Sequence, residues 1–244
     1  MVHQMIPENI DGDTMVWRYV DFAKFYSMIT SKSLFLCRAD NFPDEFEGSY
    51  SDKNLIQRSG LDRMRCDTAP CDRGIQSRRP RYSNEELRKR MNICCFHLSD
   101  HESTAMWELY TIEKQGIAIQ STINRLNKSI DESFDIVIGK VNYVDYREEK
   151  IAEISEFHPF LSKRIFFRHE KELRVLLLHN QTEIKNLNQF GTTLPINLDS
   201  LIERIYISPK SSTWFRELIE HSLEANDLGC SVHQSNLDMK PIRV

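Results

Sequence analysis

Apolar and polar residues follow two alternating periods along this chain, and the changeovers outline an α+β protein. Val16–Val20, Val-Trp-Arg-Tyr-Val, has the aromatic and β-branched content of a strand. From Asp21 to Thr30 the apolar positions Phe22, Phe25, Met28 and Ile29 keep helical spacing and predict an amphipathic helix. Ser33–Arg38 predicts a second strand, running into the turn-forming Asp40-Asn41-Phe42-Pro43-Asp44. Periodicity then fades until Ser83-Asn84-Glu85-Glu86, a capping box that opens a helix reaching Met91. Further strands are predicted at Ile93–Leu98, Gly116–Ser121, Phe134–Tyr146 (one or two), Glu172–Leu178, Leu194–Leu198, Ile202–Ile207 and Cys230–Gln234. Helices are predicted over Ser103–Glu113, Glu148–Leu161 and Thr213–Asn226, with a helical turn at Thr122–Asn127. Strands outnumber long helices and no βαβ repeat appears. The expected fold is therefore α+β, with a mixed, mainly antiparallel sheet and flanking helices. Glu172–Leu178, the most apolar segment, is expected at its centre.

Composition agrees with a folded chain and adds one asymmetry. With 244 residues, 40% hydrophobic and 28% charged, the chain is long enough for a sizeable core and too mixed for a disordered or collagen-like protein. No linker composition stands out, so residues 1–244 are expected to form a single domain. The formal net charge is −4. Residues 58–90, however, hold an excess of Lys and Arg over Asp and Glu, while the flanking sequence is acidic. This block is read as an Arg-rich insertion. Arg63, Arg65, Arg73, Arg78, Arg79 and Arg81 would there contact nucleic acid or a protein partner, or be neutralised by acids of the body. No run approaches the roughly 20 apolar residues of a membrane span, and the N-terminus lacks a signal layout. The six cysteines show no repeated spacing, which fits free thiols in a reducing cytoplasm. Cys66, Cys71, Cys94 and His97 match zinc spacing only loosely, and no metal is expected.

Phosphate-loop, dinucleotide, hydrolase-elbow and zincin fingerprints are all missing. Four constellations remain. Trp17-Arg18-Tyr19 places a guanidinium in an apolar strand, suited to a phosphate or carboxylate, or to a surface acid at a sheet edge. Phe42 to Gly48 sets Asp44, Glu45 and Glu47 between phenylalanines, to bind a metal, to hold Arg18, or simply to start a helix. Phe96 to Asp100 puts Ser99 at a strand end ahead of Trp107 and Tyr110, a plausible pocket wall or ordinary core. Glu170, Glu172 and Arg174 would share one strand face, where three charges beside a core strand are costly unless paired or functional.

In this order the segments resemble an uncharacterised bacterial family of unknown function. The resemblance rests on Trp17-Arg18-Tyr19, Phe42 to Glu47, Met106-Trp107-Glu108-Leu109-Tyr110 with Gly116-Ile117, Glu170-Lys171-Glu172-Leu173-Arg174, and Ile207-Ser208-Pro209. Pro43 and Glu45 depart from the family's loop, while Asp44 and Glu47 keep register. It implies an accessory protein of the kind found in phage-defence islands. The succession Arg18, Ser99, Glu172 also resembles the Arg–Ser–Glu core of the ADP-ribosyltransferase-like superfamily, at unusually long spacings. That resemblance implies an ADP-ribosyltransferase-like fold and an enzyme using NAD as substrate, acting as a toxin or antiviral defence effector. Arg18 and Tyr19 would bind the cofactor with Ser99, Trp107 and Tyr110. Glu172 would carry catalysis, with Glu170 activating the acceptor and Arg174 beside them. Acceptors of nucleic acid or protein, and a cognate antitoxin or regulator, follow as expected partners.

Two other readings compete. One is a metal-dependent nuclease holding Mg²⁺ on Asp44, Glu47, Glu170 and Glu172. The other is a non-catalytic binding or assembly module docking through residues 58–90. The discriminator is spatial, because reacting groups must converge on one cleft.

Overall fold

The computed structural model describes residues 2–5, 10–57, 83–111, 115–180 and 188–239. Most of the Arg-rich block, with Arg63, Arg65, Arg73, Arg78, Arg79 and Arg81, and also Cys66 and Cys71, lies outside the described residues.

Strand β1 (Val2–Met5) precedes β2 (Met15–Asp21), helix α1 (Phe22–Ser31) and β3 (Ser33–Arg38). The Asp21 side chain accepts from the Lys24 amide and so caps α1. Helix α2 (Asn84–Arg90) starts at the capping box of Ser83 and Glu86 and feeds β4 (Met91–Leu98). Then come α3 (Thr104–Tyr110), β5 (Gly116–Thr122), α4 (Ile123–Ser129), β6 (Ile136–Lys140), β7 (Asn142–Val144) and β8 (Ser162–Arg164). Strands β9 (Glu172–Leu178) and β10 (Gly191–Pro195) lead to α5 (Leu198–Leu201), β11 (Arg204–Ile207), α6 (Thr213–Glu224) and β12 (Val232–Gln234).

The main sheet runs β1-β6-β9-β4-β2-β5-β11-β12, with β3 branching from β4 and carrying β10. Among the described residues only β1–β6 and β11–β12 pair in parallel within it, and β7–β8 form a separate parallel pair. The fold is thus α+β with a mainly antiparallel sheet, as expected, and β9 lies at its centre between β6 and β4. Strand β4 changes partner along one edge: Cys37 and Arg38 of β3 pair with its start, Val16 and Trp17 of β2 with its end. Between them the sheet forks, and α1 links the two prongs.

Period-two alternation sorts the strands' residues onto two unlike faces. One face is a continuous apolar core of Val16, Val20, Cys94, Phe96, Leu173 and Val175, covered by Phe25, Ile29, Leu126, Phe215 and Ile219 from α1, α4 and α6. The other face carries two separate apolar clusters. Met91, Ile93, Leu176 and Phe160 form one, and Trp17, Tyr19, Met106, Trp107 and Tyr206 the other. The charged residues of the chain's middle fill the gap between them.

Two expectations need correcting. Residues 148–157 form turns and bends, not a helix, and only His158–Leu161 makes a short 3-10 turn. Asn54 is the reason. Its side chain bonds both the Ile151 amide and the Ile151 carbonyl, while Ile151 is buried against Tyr50, Val144 and Tyr146. A tertiary side chain thereby takes the bonds a helix would have used. Glu170 also does not share a strand with Glu172 and Arg174. It ends a 3-10 segment, Ile165–Glu170, and Lys171 at φ 41° turns the chain into β9. No helix among the described residues is long and apolar enough to cross a membrane.

Candidate active site

A small cleft opens in the second face beside the charged gap. Trp17 and Tyr19 of β2, Cys95 and His97 of β4, and Met106 and Tyr110 of α3 line it together with Glu170 and Glu172. The alternation of β4 explains the donors: Cys94 and Phe96 enter the core, so Cys95 and His97 must face the cleft. Its free volume is only about 40 Å³, room for a water or two.

Behind the cleft lies a chain of buried ions. Arg174, with no side-chain exposure, donates to Glu47 at 2.6 and 3.0 Å, to Glu172 at 2.5 Å and to the Phe160 carbonyl at 2.6 Å. Lys163 bonds the second oxygen of Glu172 at 2.7 Å and also donates to Glu170. Arg164 pairs with Asp44 at 2.7 Å and stacks over Phe46. At Gly48 the acidic loop closes with φ +72°, and a Cβ there would meet the Phe160 ring at 2.3 Å. The loop is pinned at Asp44 and at Glu47.

Charge balance sets the protonation states. Two cations, Lys163 and Arg174, face three carboxylates, Glu47, Glu170 and Glu172. Burial, then the hydrogen bond and repulsion from Glu172, push Glu170 up to about 7. Burial acts on Glu172 as well, but Arg174, Glu170 and Lys163 outweigh it and hold that carboxyl well below the usual range. For Lys163, burial is outweighed by the Glu172 charge and by bonds to both glutamates, so its pKa rises. Around neutrality one carboxylate of the pair is ionised and the other holds a titratable proton. His97 donates from Nδ1 to the Glu170 carbonyl at 2.7 Å, and burial lowers its pKa, so the ring is neutral. Such an arrangement can orient a bound group between aromatic walls, favour positive charge and exchange one proton near pH 7.

The other sequence-selected residues fall into distinct places. Trp107 is buried, packed edge-on to Tyr19 and bonded to Glu102, so it supports the cleft wall from behind. Tyr19 lines the cleft while its hydroxyl accepts from the Ser103 amide. Ser99 serves the turn after β4: its carbonyl accepts from the Trp17 indole and its hydroxyl from the His101 amide. Arg18 is not brought to the glutamates. One residue from both Trp17 and Tyr19 on β2, it points to the opposite face and bonds Cys94 Sγ and the Cys95 carbonyl. Grouping Arg18, Ser99 and Glu172 in one cleft therefore fails on strand alternation. Asp44 and Glu47, the metal candidates, are engaged by Arg164 and Arg174, and no metal-binding group of three or more ligands occurs among the described residues.

Sequence reasoning missed Lys163, and it named His97 only as a loose zinc ligand and beside Ser99, and Trp17 only as a flank of Arg18. His97 was legible, because the opposed orientations of Cys94 and Cys95 place it beside Cys95. Lys163 carried a weaker signal, two cations followed by Ile165-Phe166-Phe167 just ahead of the glutamates.

No protein-family model matches the chain, and no curated protein matches it. Among solved structures it is similar to Thermus sp. 2.9 DarT in complex with ADP-ribosylated ssDNA, at 11% identity and TM-score 0.43, over 97% of this chain and 99% of that one. The same protein in complex with NAD+ gives 10% and 0.41, over 94% and 98%. Its complex with carba-NAD+ gives 10% and 0.39, over the same shares. At these scores no residue role passes between the chains.

Proposed function

We propose that this cleft is the active site of an ADP-ribosyltransferase-like enzyme that takes NAD as substrate. One observation carries the proposal: two glutamates of unlike protonation, Glu172 held ionised and Glu170 titrating near 7, at the wall of an aromatic cleft. The bond between ribose C1′ and the nicotinamide nitrogen breaks, and its electron pair neutralises the pyridinium. The ribosyl cation left behind is favoured by the negative field of Glu172. Glu170, when ionised, takes the proton of the incoming water or acceptor hydroxyl. Neutral His97 holds the Glu170 backbone in place and is a positioning residue. Nicotinamide is larger than the cleft as it stands. Entry requires Tyr110, half-exposed on the last turn of α3, to turn aside and then cover the ring.

The test is nicotinamide release. Purified protein incubated with NAD, with and without cell extract or oligonucleotide, releases nicotinamide under at least one condition. Glu170→Gln is the sharper variant, since an isosteric neutral side chain replaces a group already protonated at lower pH. It lowers release by about 100-fold with an unchanged melting temperature. Glu172→Gln lowers release at least as much, but also unbalances Lys163 and Arg174. A wild-type protein that neither binds NAD nor releases nicotinamide under any of these conditions overturns the proposal.

A further inference from the structure

The fork in the sheet holds a second site, unrelated to the glutamate cleft. Where β4 passes from β3 to β2, a groove of about 360 Å³ opens beneath α1. Arg18 forms its floor. This half-buried guanidinium touches the Cys94 thiol at 2.6 Å, the Cys95 carbonyl at 3.1 Å and the Phe96 ring face at 5.6 Å from its centroid. No carboxylate pairs with it among the described residues, whereas Lys163, Arg164 and Arg174 each have one. The contacts to β4 account for its presence in the fork, because they bridge backbone and side chain that neither strand prong reaches. They use one of its terminal nitrogens and, among the described residues, leave its charge unmatched. A partly desolvated cation without a counter-charge favours an anion.

The walls say what else the ligand carries. Val20, Met28 and Leu34 give an apolar side, and Ser27 and Ser33 also line the groove, the Ser33 hydroxyl bonded to that of Ser31. We infer that the groove binds a small amphipathic anion, a carboxylate or phosphate monoester whose head meets Arg18 and whose apolar body lies along α1. The volume suits a body of roughly ten heavy atoms at the share of space typical of ligand pockets. Binding here is independent of NAD use, so its failure leaves the glutamate cleft untouched.

Calorimetric titration of the full chain with octanoate and with octyl phosphate tests the site and separates the two head groups. Octylammonium and inorganic phosphate serve as controls. Saturable binding of at least one octyl anion is expected, with Kd below about 1 mM, the range of weak specific ligands. Arg18→Gln weakens it tenfold or more. Ser27→Trp, at an exposed position of α1, fills the groove without touching the core and weakens it equally. Octylammonium binding as tightly as the anions, or inorganic phosphate matching them, overturns the amphipathic-anion assignment. So does binding that survives Ser27→Trp, or no saturable binding of either octyl anion to the wild type.

Discussion

Glu170 is the residue whose chemistry is most open to measurement. Its folded pKa of about 7 lies above that of a free glutamate, because burial disfavours the charged form and the hydrogen bond with Glu172 and that residue's negative charge add to the cost of ionising it. The sign for catalysis follows directly. Below pH 7 it holds its proton and cannot act as a base; above pH 7 it can. Nicotinamide release therefore rises with pH to a plateau, with an apparent midpoint near 7, and the Glu170→Gln profile loses that rise. Stability runs the other way, since a raised carboxyl favours folding at low pH and that contribution is lost as pH climbs through 7. Arg174 behaves as a structural ion. Arg174→Met leaves Glu47 buried without the cation it pairs with and Glu172 with Lys163 alone, and lowers unfolding free energy by about 3–5 kcal/mol, measured by denaturant titration. Arg174→Lys recovers only part of the loss, because it cannot fork onto both carboxylates. Sequence reading selected Glu170, Glu172 and Arg174 because charges beside an apolar strand are costly. It could not divide them into one titrating, one ionised and one buried group. That division depends on Lys163 of the short strand β8, and on Glu47, which reaches Arg174 from the distant acidic loop.

At the scale of elements, strands and caps were legible wherever one face of a segment meets one environment. The Ser83 capping box, β3 and the start of α1 appear at their expected places because local chemistry decides them. Segments settled by distant partners were misread. Residues 148–157 have a helix-like composition, yet Asn54 holds Ile151 by two backbone bonds in a non-helical path. Asn54→Ala removes both and is expected to cost about 2–4 kcal/mol, with faster hydrogen exchange at the Ile151 amide. The helical alternative does not take over, because Ile151 would leave its buried site beside Tyr50 and Tyr146. Strand β1 was missed for the same kind of reason. Val2–Met5 is short, and its parallel pairing with β6 across more than a hundred residues leaves no local sign. Arg18 shows the converse error. A correct strand with an ignored face put the guanidinium in the wrong site.

For the whole molecule, one sheet threads every region described, from β1 at one edge to β12 at the other. The expectation of a single domain over residues 1–244 has a direct test. Thermal unfolding followed by tryptophan fluorescence and by circular dichroism gives coincident transitions, whereas separated midpoints mean more than one unit. The order of synthesis gives the central strand a further consequence. β4 takes β2 and β3 as neighbours on one edge and β9 on the other. The first two precede it on the nascent chain, but β9 follows roughly 75 residues later, about 4–15 s at 5–20 residues per second. During that interval β4 stands open on the β9 side, with Cys95 and His97 lacking their partners there, and Glu47 has no Arg174 to meet. A chain stalled before residue 172 would offer that edge to another copy of itself. Chaperone demand for this protein should therefore fall abruptly once β9 leaves the ribosome.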